Sequence, residues 1–337
     1  MVELVSKFIR NELNQNAMGG SELMMTRLYD SLGDELDDFQ IILSRVRELE
    51  DGKWRILWCH DLAEDPEAQH LANGGWQKFH MIVFVSNWQR QSYVDRFNIP
   101  WSKTVVMQNA IMPFNDPKPG PRIPGVAPIK MIYHTTPHRG LELLYPIVDR
   151  LSESHNVQLN VYSSFKVYGW EQRDEPYKDL FKKIEDHPSM TYHGAVDNSE
   201  IRAALVGTDI FLYPCIWQET SCLSLIEAMA AGVICVHPDY SVLPETSANW
   251  NHIYQWNENP REHANIAYNV IDHICTQFNN PKGAELLINR ANMTADYMRA
   301  FYNWEIRAQQ WSALLKHVKS FPIELPKETG PVFTLRT

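Results

Sequence analysis

Short apolar runs recur along the chain, and between them the apolar residues fall at helical spacing. The clearest such unit is 209–236, DIFLYPCIWQETSCLSLIEAMAAGVICV. Its apolar start, Asp209–Cys215, suits a strand covered on both faces of a parallel sheet. Cys222, Leu225, Ile226, Met229 and Ala230 then stand at i, i+3, i+4, i+7 and i+8, one core-facing helical stripe. Thr220 or Ser221 is placed to cap that helix, Gly232 to stop it, and Val233–Val236 to form the next strand. The same alternation predicts strands at Glu3–Ile9, Phe39–Ser44, Trp54–Cys59, Met81–Ser86, Thr104–Gln108, Lys130–His134, Val157–Ser163, Met190–Gly194 and Ile253–Trp256. Helices are expected over Leu23–Leu32, Trp88–Phe97, Gly140–Leu151, Tyr177–Glu185, Ser199–Gly207, Pro260–Phe278, Ala284–Phe301 and Trp304–Val318. Strand–helix alternation of this kind predicts an α/β fold with parallel sheets covered on both faces.

The alternation is interrupted once. Pro113–Pro128 carries six prolines in sixteen residues, with Gly120 and Gly125, a composition for an extended linker. The chain is therefore expected to divide into a first domain over 1–112, a linker over 113–128, a second domain over 129–300 and a closing segment over 301–337. A length of 337 residues suits two domains that each build a core. Net charge is −10, shared about evenly between the two halves, so neither half is a basic surface of the kind nucleic acid or an anionic membrane selects. The five cysteines are odd in number, lack C-x-x-C spacing and sit in apolar contexts, which reads as reduced core thiols in a cytoplasmic protein. With no apolar run near eighteen residues and no signal peptide, no transmembrane segment is expected. Peripheral membrane contact stays open.

Several residues carry candidate chemistry. Glu219 follows the carboxyl end of a predicted strand, where open α/β sheets bind ligands. Glu227 lies about two turns into the following helix, off its apolar stripe. Between the two acids the backbone N–H groups of Ser221, Cys222 and Leu223 open a helix and suit a phosphate. A ligand with a phosphate in its middle and hydroxyls at both ends fits this order, as a nucleotide sugar does. Gly19 and Gly20 either turn the chain or let a ligand approach its backbone, and Ser21 could cap the helix behind them. His60 ends a predicted strand, a place that serves structure or chemistry. Ser86 and Asn109 read either as cap and turn residues or as cleft-lining ones. Arg139 is either a surface residue at a helix start or a cation for a diphosphate. No G-x-G-x-x-G is present, which counts against a dinucleotide-binding oxidoreductase, and no D-x-D or other metal set stands out.

The run E-T-S-C-L-S-L-I-E-A-M-A-A-G, with Glu219 and Glu227 separated by seven residues, resembles the donor-site signature of retaining glycosyltransferases of the GT-B fold, glycosyltransferase family four above all. G-G-S-E at 19–22 resembles that family's amino-terminal glycine loop, HTTPHRG at 134–140 its diphosphate cradle, and YSVLPE at 240–245 a loop shaping its base pocket. The resemblance implies two Rossmann-like domains facing a central cleft, with the final helix crossing back to the first. It implies transfer of a hexosyl or pentosyl group from a nucleoside-diphosphate sugar, with retention and without metal or other cofactor, to a glycan, lipid-linked or small-molecule acceptor. By the same resemblance Glu227 binds the ribose, and Glu219 and His60 approach the transferred sugar. The diphosphate falls to Arg139, His134 and the 221–223 amides, with Gly19 and Gly20 facing it. The family has Arg where His134 stands, Lys where Arg139 stands, and Phe-Gly where Ser221-Cys222 stand. A sugar-nucleotide epimerase on the same fold, and a nucleotide-sugar-binding protein without turnover, are the alternatives.

Overall fold

The computed structural model describes residues 19–114 and 127–325. The predicted strand Glu3–Ile9 and most of the proline-rich linker lie outside the described residues. Contacts divide the described chain into two units. One joins residues 20–112 with 302–325, and the other holds Gly19, Pro113, Phe114 and residues 127–301.

In the first unit, helix α1 (Gly20–Leu32) precedes strands β1 (Phe39–Leu43), β2 (Trp54–Cys59) and β3 (Met81–Phe84), helix α2 (Asn87–Phe97) and strand β4 (Thr104–Val106). The four strands are parallel and in chain order, β1-β2-β3-β4, with Ile41 opposite Ile56, Leu57 opposite Ile82 and Val83 opposite Val105. Parallel neighbours require a crossover between them. After β2 the crossover is a 3-10 segment over Pro66–Lys78, broken at Ala72–Gly74, which the hydrophobic pattern does not announce. Leu57, Ile82 and Phe84 meet Trp76, Phe79, Tyr93 and Phe97 in one core. Each such burial contributes about 1.5–3 kcal/mol before the entropy of ordering is subtracted. Ser86 caps α2 by accepting from the Gln89 N–H at 3.0 Å, the cap reading of that residue. Helix α1 starts at Gly20 rather than at Leu23, so Ser21 lies inside the helix and is not its cap. Its phase is set by the buried stripe Met24, Met25, Leu28 and Leu32.

The last described helix (Trp304–Val318) packs in this same unit. Trp311 sits edge-on to Trp58 at 4.7 Å, Trp304 Nε1 donates to Ser31 Oγ at 2.7 Å, and Ile111 bridges Asn303. The aromatics near the carboxyl end thus serve packing.

The second unit runs β5 (Ile129–Tyr133), α3 (Leu141–Ser152), β6 (Val157–Val161), α4 (Lys178–Glu185), β7 (Met190–Tyr192), α5 (Asn198–Val206), β8 (Ile210–Leu212), α6 (Leu223–Ala230), β9 (Ile234–Pro238), α7 (Leu243–Thr246), β10 (His252–Tyr254), α8 (Pro260–Phe278) and α9 (Pro281–Phe301). With α10 for Trp304–Val318, this completes the described helices longer than 3-10 turns. All six strands are parallel in the order β10-β9-β8-β5-β6-β7. Chain order therefore runs outward from β5 to β7, returns, and runs outward again from β8 to β10. The reversal lies between β5 and β8, and a crevice opens at the carboxyl ends of strands at such a point. All five cysteines are buried free thiols. Among the described residues no helix is long and apolar enough to cross a membrane.

Candidate functional site

Two loops leave the carboxyl ends of the strands that flank this reversal. The β5–α3 loop carries His134, Thr136, His138 and Arg139 and closes at Gly140. The β8–α6 loop carries Tyr213, Glu219 and Cys222. Gly140 has φ +125°, and a Cβ there would stand 2.2 Å from the carbonyl oxygen of Pro214, so only glycine lets the loops pass this closely. The Ile216 N–H also donates to the Arg139 carbonyl at 3.4 Å.

The approach brings together two residues 80 positions apart. Arg139 donates through Nη1 to Glu219 Oε1 in a largely enclosed ion pair, with side chains 19% and 4% exposed. Arg139 Nε donates to Thr136 Oγ1 at 3.0 Å, and the Tyr213 hydroxyl donates to the same Glu219 Oε1 at 2.5 Å. Burial alone would lower the Arg139 pKa, but the Glu219 carboxylate outweighs it and holds the guanidinium well above its ordinary value. The cation is permanent. Behind Glu219, its own N–H donates at 3.0 Å to the Oγ of Ser241, a residue with φ +49°.

Helix α6 begins beside this pair. Its N-cap is Cys222 and makes no side-chain cap bond, in place of the Thr220 or Ser221 cap that the hydrophobic pattern suggests. The loop's anchors explain the later start: Glu219 is tied to Ser241, and Cys215 Sγ lies 3.2 Å from the Trp217 carbonyl. The first-turn N–H groups of an α-helix have no intrahelical acceptor, so this end carries partial positive charge. Ser224 ties the helix start to the β5 loop by donating to the His134 carbonyl at 3.1 Å.

The remaining predicted residues occupy different settings. Glu227 is buried although it stands off the apolar stripe, because α6 is covered on every side from Leu225 to Ala230. Its two oxygens accept from Asn198 Nδ2 at 3.2 and 3.1 Å, and Arg202 Nη1 lies 3.6 Å away. His134 is buried against Phe211 at 4.9 Å, and burial pushes its pKa down to about 3. It is a neutral imidazole at pH 7, so the cation that the resemblance implies at this position is not supplied by His134 alone. His60 belongs to the first unit, edge-on to Trp58 at 4.7 Å, and burial likewise takes its pKa to about 3. The Ser44 hydroxyl accepts the His60 N–H at 2.8 Å. Gly19 is buried and Gly20 opens α1.

Sequence reasoning missed Thr136, Tyr213, Asn198 and Ser241. Tyr213 alone carried a signal, being a polar-tipped residue inside an apolar strand run. Thr136 and Ser241 are ordinary polar loop residues and Asn198 the first residue of α5, and their roles depend on strand order.

Residues 129–271 match the family model described as "Glycosyl transferases group 1". No curated protein matches the sequence. Among solved structures, a glycosyltransferase from Rickettsia africae ESF-5 superposes with a TM-score of 0.66 at 15% identity, covering 94% of this chain and 87% of that one. WaaG, a glycosyltransferase involved in lipopolysaccharide biosynthesis, gives a TM-score of 0.58 at 14% identity over 86% of this chain and 80% of its own. The pneumococcal O-GlcNAc transferase GtfA, solved with UDP and GlcNAc, gives 0.58 at 11% identity over 80% of this chain and 53% of its own. Likeness at these identities speaks for the fold, and the family match covers the part of the second unit that carries Arg139, Glu219 and Glu227. Residues 129–271 are therefore similar to the glycosyl transferases of group 1, on a chain with the GT-B fold of these glycosyltransferases.

Proposed function

We propose that this chain transfers a hexosyl or pentosyl group from a nucleoside-diphosphate sugar to an acceptor, with retention at the anomeric carbon and without a metal. The observation that carries the reading is the meeting of Arg139, Glu219 and the α6 amino terminus at the β5/β8 reversal. A permanently charged guanidinium and a helix amino terminus suit a diphosphate, and a carboxylate beside them can accept from sugar hydroxyls.

In this reading the donor's diphosphate lies on Arg139 and the first-turn amides of α6, near Cys222 and Leu223. Glu219 takes a hydroxyl of the transferred sugar, and Glu227, held by Asn198, takes the ribose. Departure of the nucleoside diphosphate is favoured because positive potential is already oriented where negative charge develops, at no reorganisation cost during the step. The neutral His134 side chain contributes packing rather than charge, and its backbone carbonyl accepts from Ser224. The acceptor is a glycan, a lipid-linked sugar or a small molecule, and the reading places the protein in the cytoplasm.

Binding of nucleotide sugars without turnover is the second reading. It is favoured by the uncharged His134 and by the engagement of Glu227 with Asn198 and Arg202.

Thermal unfolding against UDP, GDP, ADP, CDP and dTDP sugars tests the donor site. A ligand at a hundred times its Kd adds about 2.7 kcal/mol, a rise of roughly 5–10 °C for units of this size. One base should produce the shift, Glu227→Ala should abolish it, and EDTA should leave it and any transfer unchanged. Equal shifts in wild type and Glu227→Ala would remove Glu227 from the site. No shift with any base would remove the donor site itself. A shift without sugar transfer to any acceptor would leave the second reading standing.

A further inference from the structure

One oxygen of Glu219, Oε1, is held from two sides. Arg139 reaches it from the β5–α3 loop, and the Tyr213 hydroxyl reaches it at 2.5 Å from the end of β8. The two holders are not equivalent. Arg139 is a long side chain, part exposed, whose guanidinium is also the group a diphosphate would recruit. Tyr213 is wholly buried one residue after β8, with its ring stacked on Phe211 at 5.4 Å and 19° and close to Tyr133 at 6.2 Å. Its hydroxyl is therefore fixed in space by the sheet, and Glu219 Oε1 is the acceptor the structure gives it. Among the described residues no donor is assigned to the second oxygen, Oε2. The Arg139 side is braced separately: Tyr133 donates to the Thr136 carbonyl at 3.0 Å, and Thr136 Oγ1 accepts from Arg139 Nε.

We propose that Tyr213 is the positioning residue of Glu219: its hydroxyl keeps hold of Oε1 when Arg139 turns to the donor's phosphates, leaving Oε2 for a hydroxyl of the transferred sugar. The inference rests on the donor-site reading above. Without the hydroxyl, a carboxylate released by Arg139 loses the contact that sets its side-chain torsions. Its contact with the sugar is then made only part of the time. A hydrogen bond to a charged group in an enclosed site is among the stronger ones in proteins.

The test is calorimetric binding and slow donor hydrolysis by wild type, Tyr213→Phe, Glu219→Gln and the double variant. The probes are UDP, GDP, ADP and dTDP, each alone and as UDP-glucose, UDP-N-acetylglucosamine, GDP-mannose, ADP-glucose and dTDP-glucose. Phenylalanine keeps the ring that fills the core and removes only the hydroxyl. Expected is an unchanged Kd for the bare diphosphate, within about twofold. The matching nucleotide sugar should lose roughly tenfold or more in affinity or hydrolysis rate, the scale of a charged hydrogen bond. The double variant should be no worse than Glu219→Gln. Unchanged sugar binding in Tyr213→Phe, or losses that multiply in the double variant, would overturn the role. So would an equal loss for the bare diphosphate, which would make Tyr213 a packing residue alone. If wild type takes none of the probes, the donor-site reading falls first and this role with it.

Discussion

Gly140→Ala is the perturbation whose outcome the structure constrains most tightly. The residue has φ +125° and ψ 12°, a region that L side chains rarely adopt, and its Cβ would lie 2.2 Å from the Pro214 carbonyl oxygen and 2.9 Å from the Pro214 carbon. The backbone conformation costs about 1–3 kcal/mol for a residue with a side chain. Relieving the clash means moving backbone, not a flexible side-chain end, and overpacking of that kind adds about 1–3 kcal/mol. The smaller entropy of an alanine unfolded chain returns about 0.4–1 kcal/mol. The net loss centres near 3 kcal/mol, a fall in Tm of about 6–12 °C for a unit of this size. Gly207→Ala is the internal control. Gly207 has φ −96° at the end of α5, and its Cβ would meet only the Ala204 carbonyl at 4.0 Å, so alanine there should be neutral or raise stability by about 0.4–1 kcal/mol. Urea titration followed by circular dichroism measures both, with the loss falling on the transition of the unit over 127–301. If Gly140→Ala stays within about 0.5 kcal/mol of wild type, the close passage of the two loops is wrong. The placement of Arg139 against Glu219 would then be wrong with it.

Acid should destabilise the second unit through His134. Its pKa is lowered from 6.5 to about 3 by burial, so between these values the unfolded chain binds the extra proton. The stabilising effect is complete above about pH 6.5 and is lost as pH falls toward about 3. Tm measured against pH should therefore show a shallower acid slope in His134→Gln than in wild type, and parallel slopes would refute the buried neutral imidazole. In the first unit, Trp311→Ala should cost about 3–5 kcal/mol, because the ring is fully buried against Trp58. A cost under about 1 kcal/mol by urea titration would mean that α10 does not complete that core.

Much of the secondary structure was legible in the residues. β2, α8 and α10 fall on the predicted boundaries, and most other elements differ by a few residues at their ends. The 3-10 segments after β2 and after β6 were not legible, since they carry neither period and are held by caps such as Asp65 and Ser164. The start of α6 was misplaced because Thr220 and Ser221 are favoured caps, whereas Cys222, the observed N-cap, makes no side-chain cap bond. The loop is anchored by contacts distant in sequence, such as that of the Glu219 N–H with Ser241.

From the residues alone came the alternation of strand and helix, the parallel character of the sheets, and the chemistry available in Glu219, Glu227 and Arg139. These are local properties: a period of two or 3.6, an apolar run, a carboxylate placed after a strand. Tertiary structure alone decided that β5 lies beside β8, that Arg139 therefore meets Glu219 across 80 residues, and that Tyr213 reaches the same oxygen. It also decided that Glu227 is turned to Asn198 and that His134 is too deeply buried to carry a charge. The physical reason is that strands buried on both faces present much the same apolar pattern to any neighbour. Their order is settled by how the whole sheet packs, and the order of strands determines which loops meet.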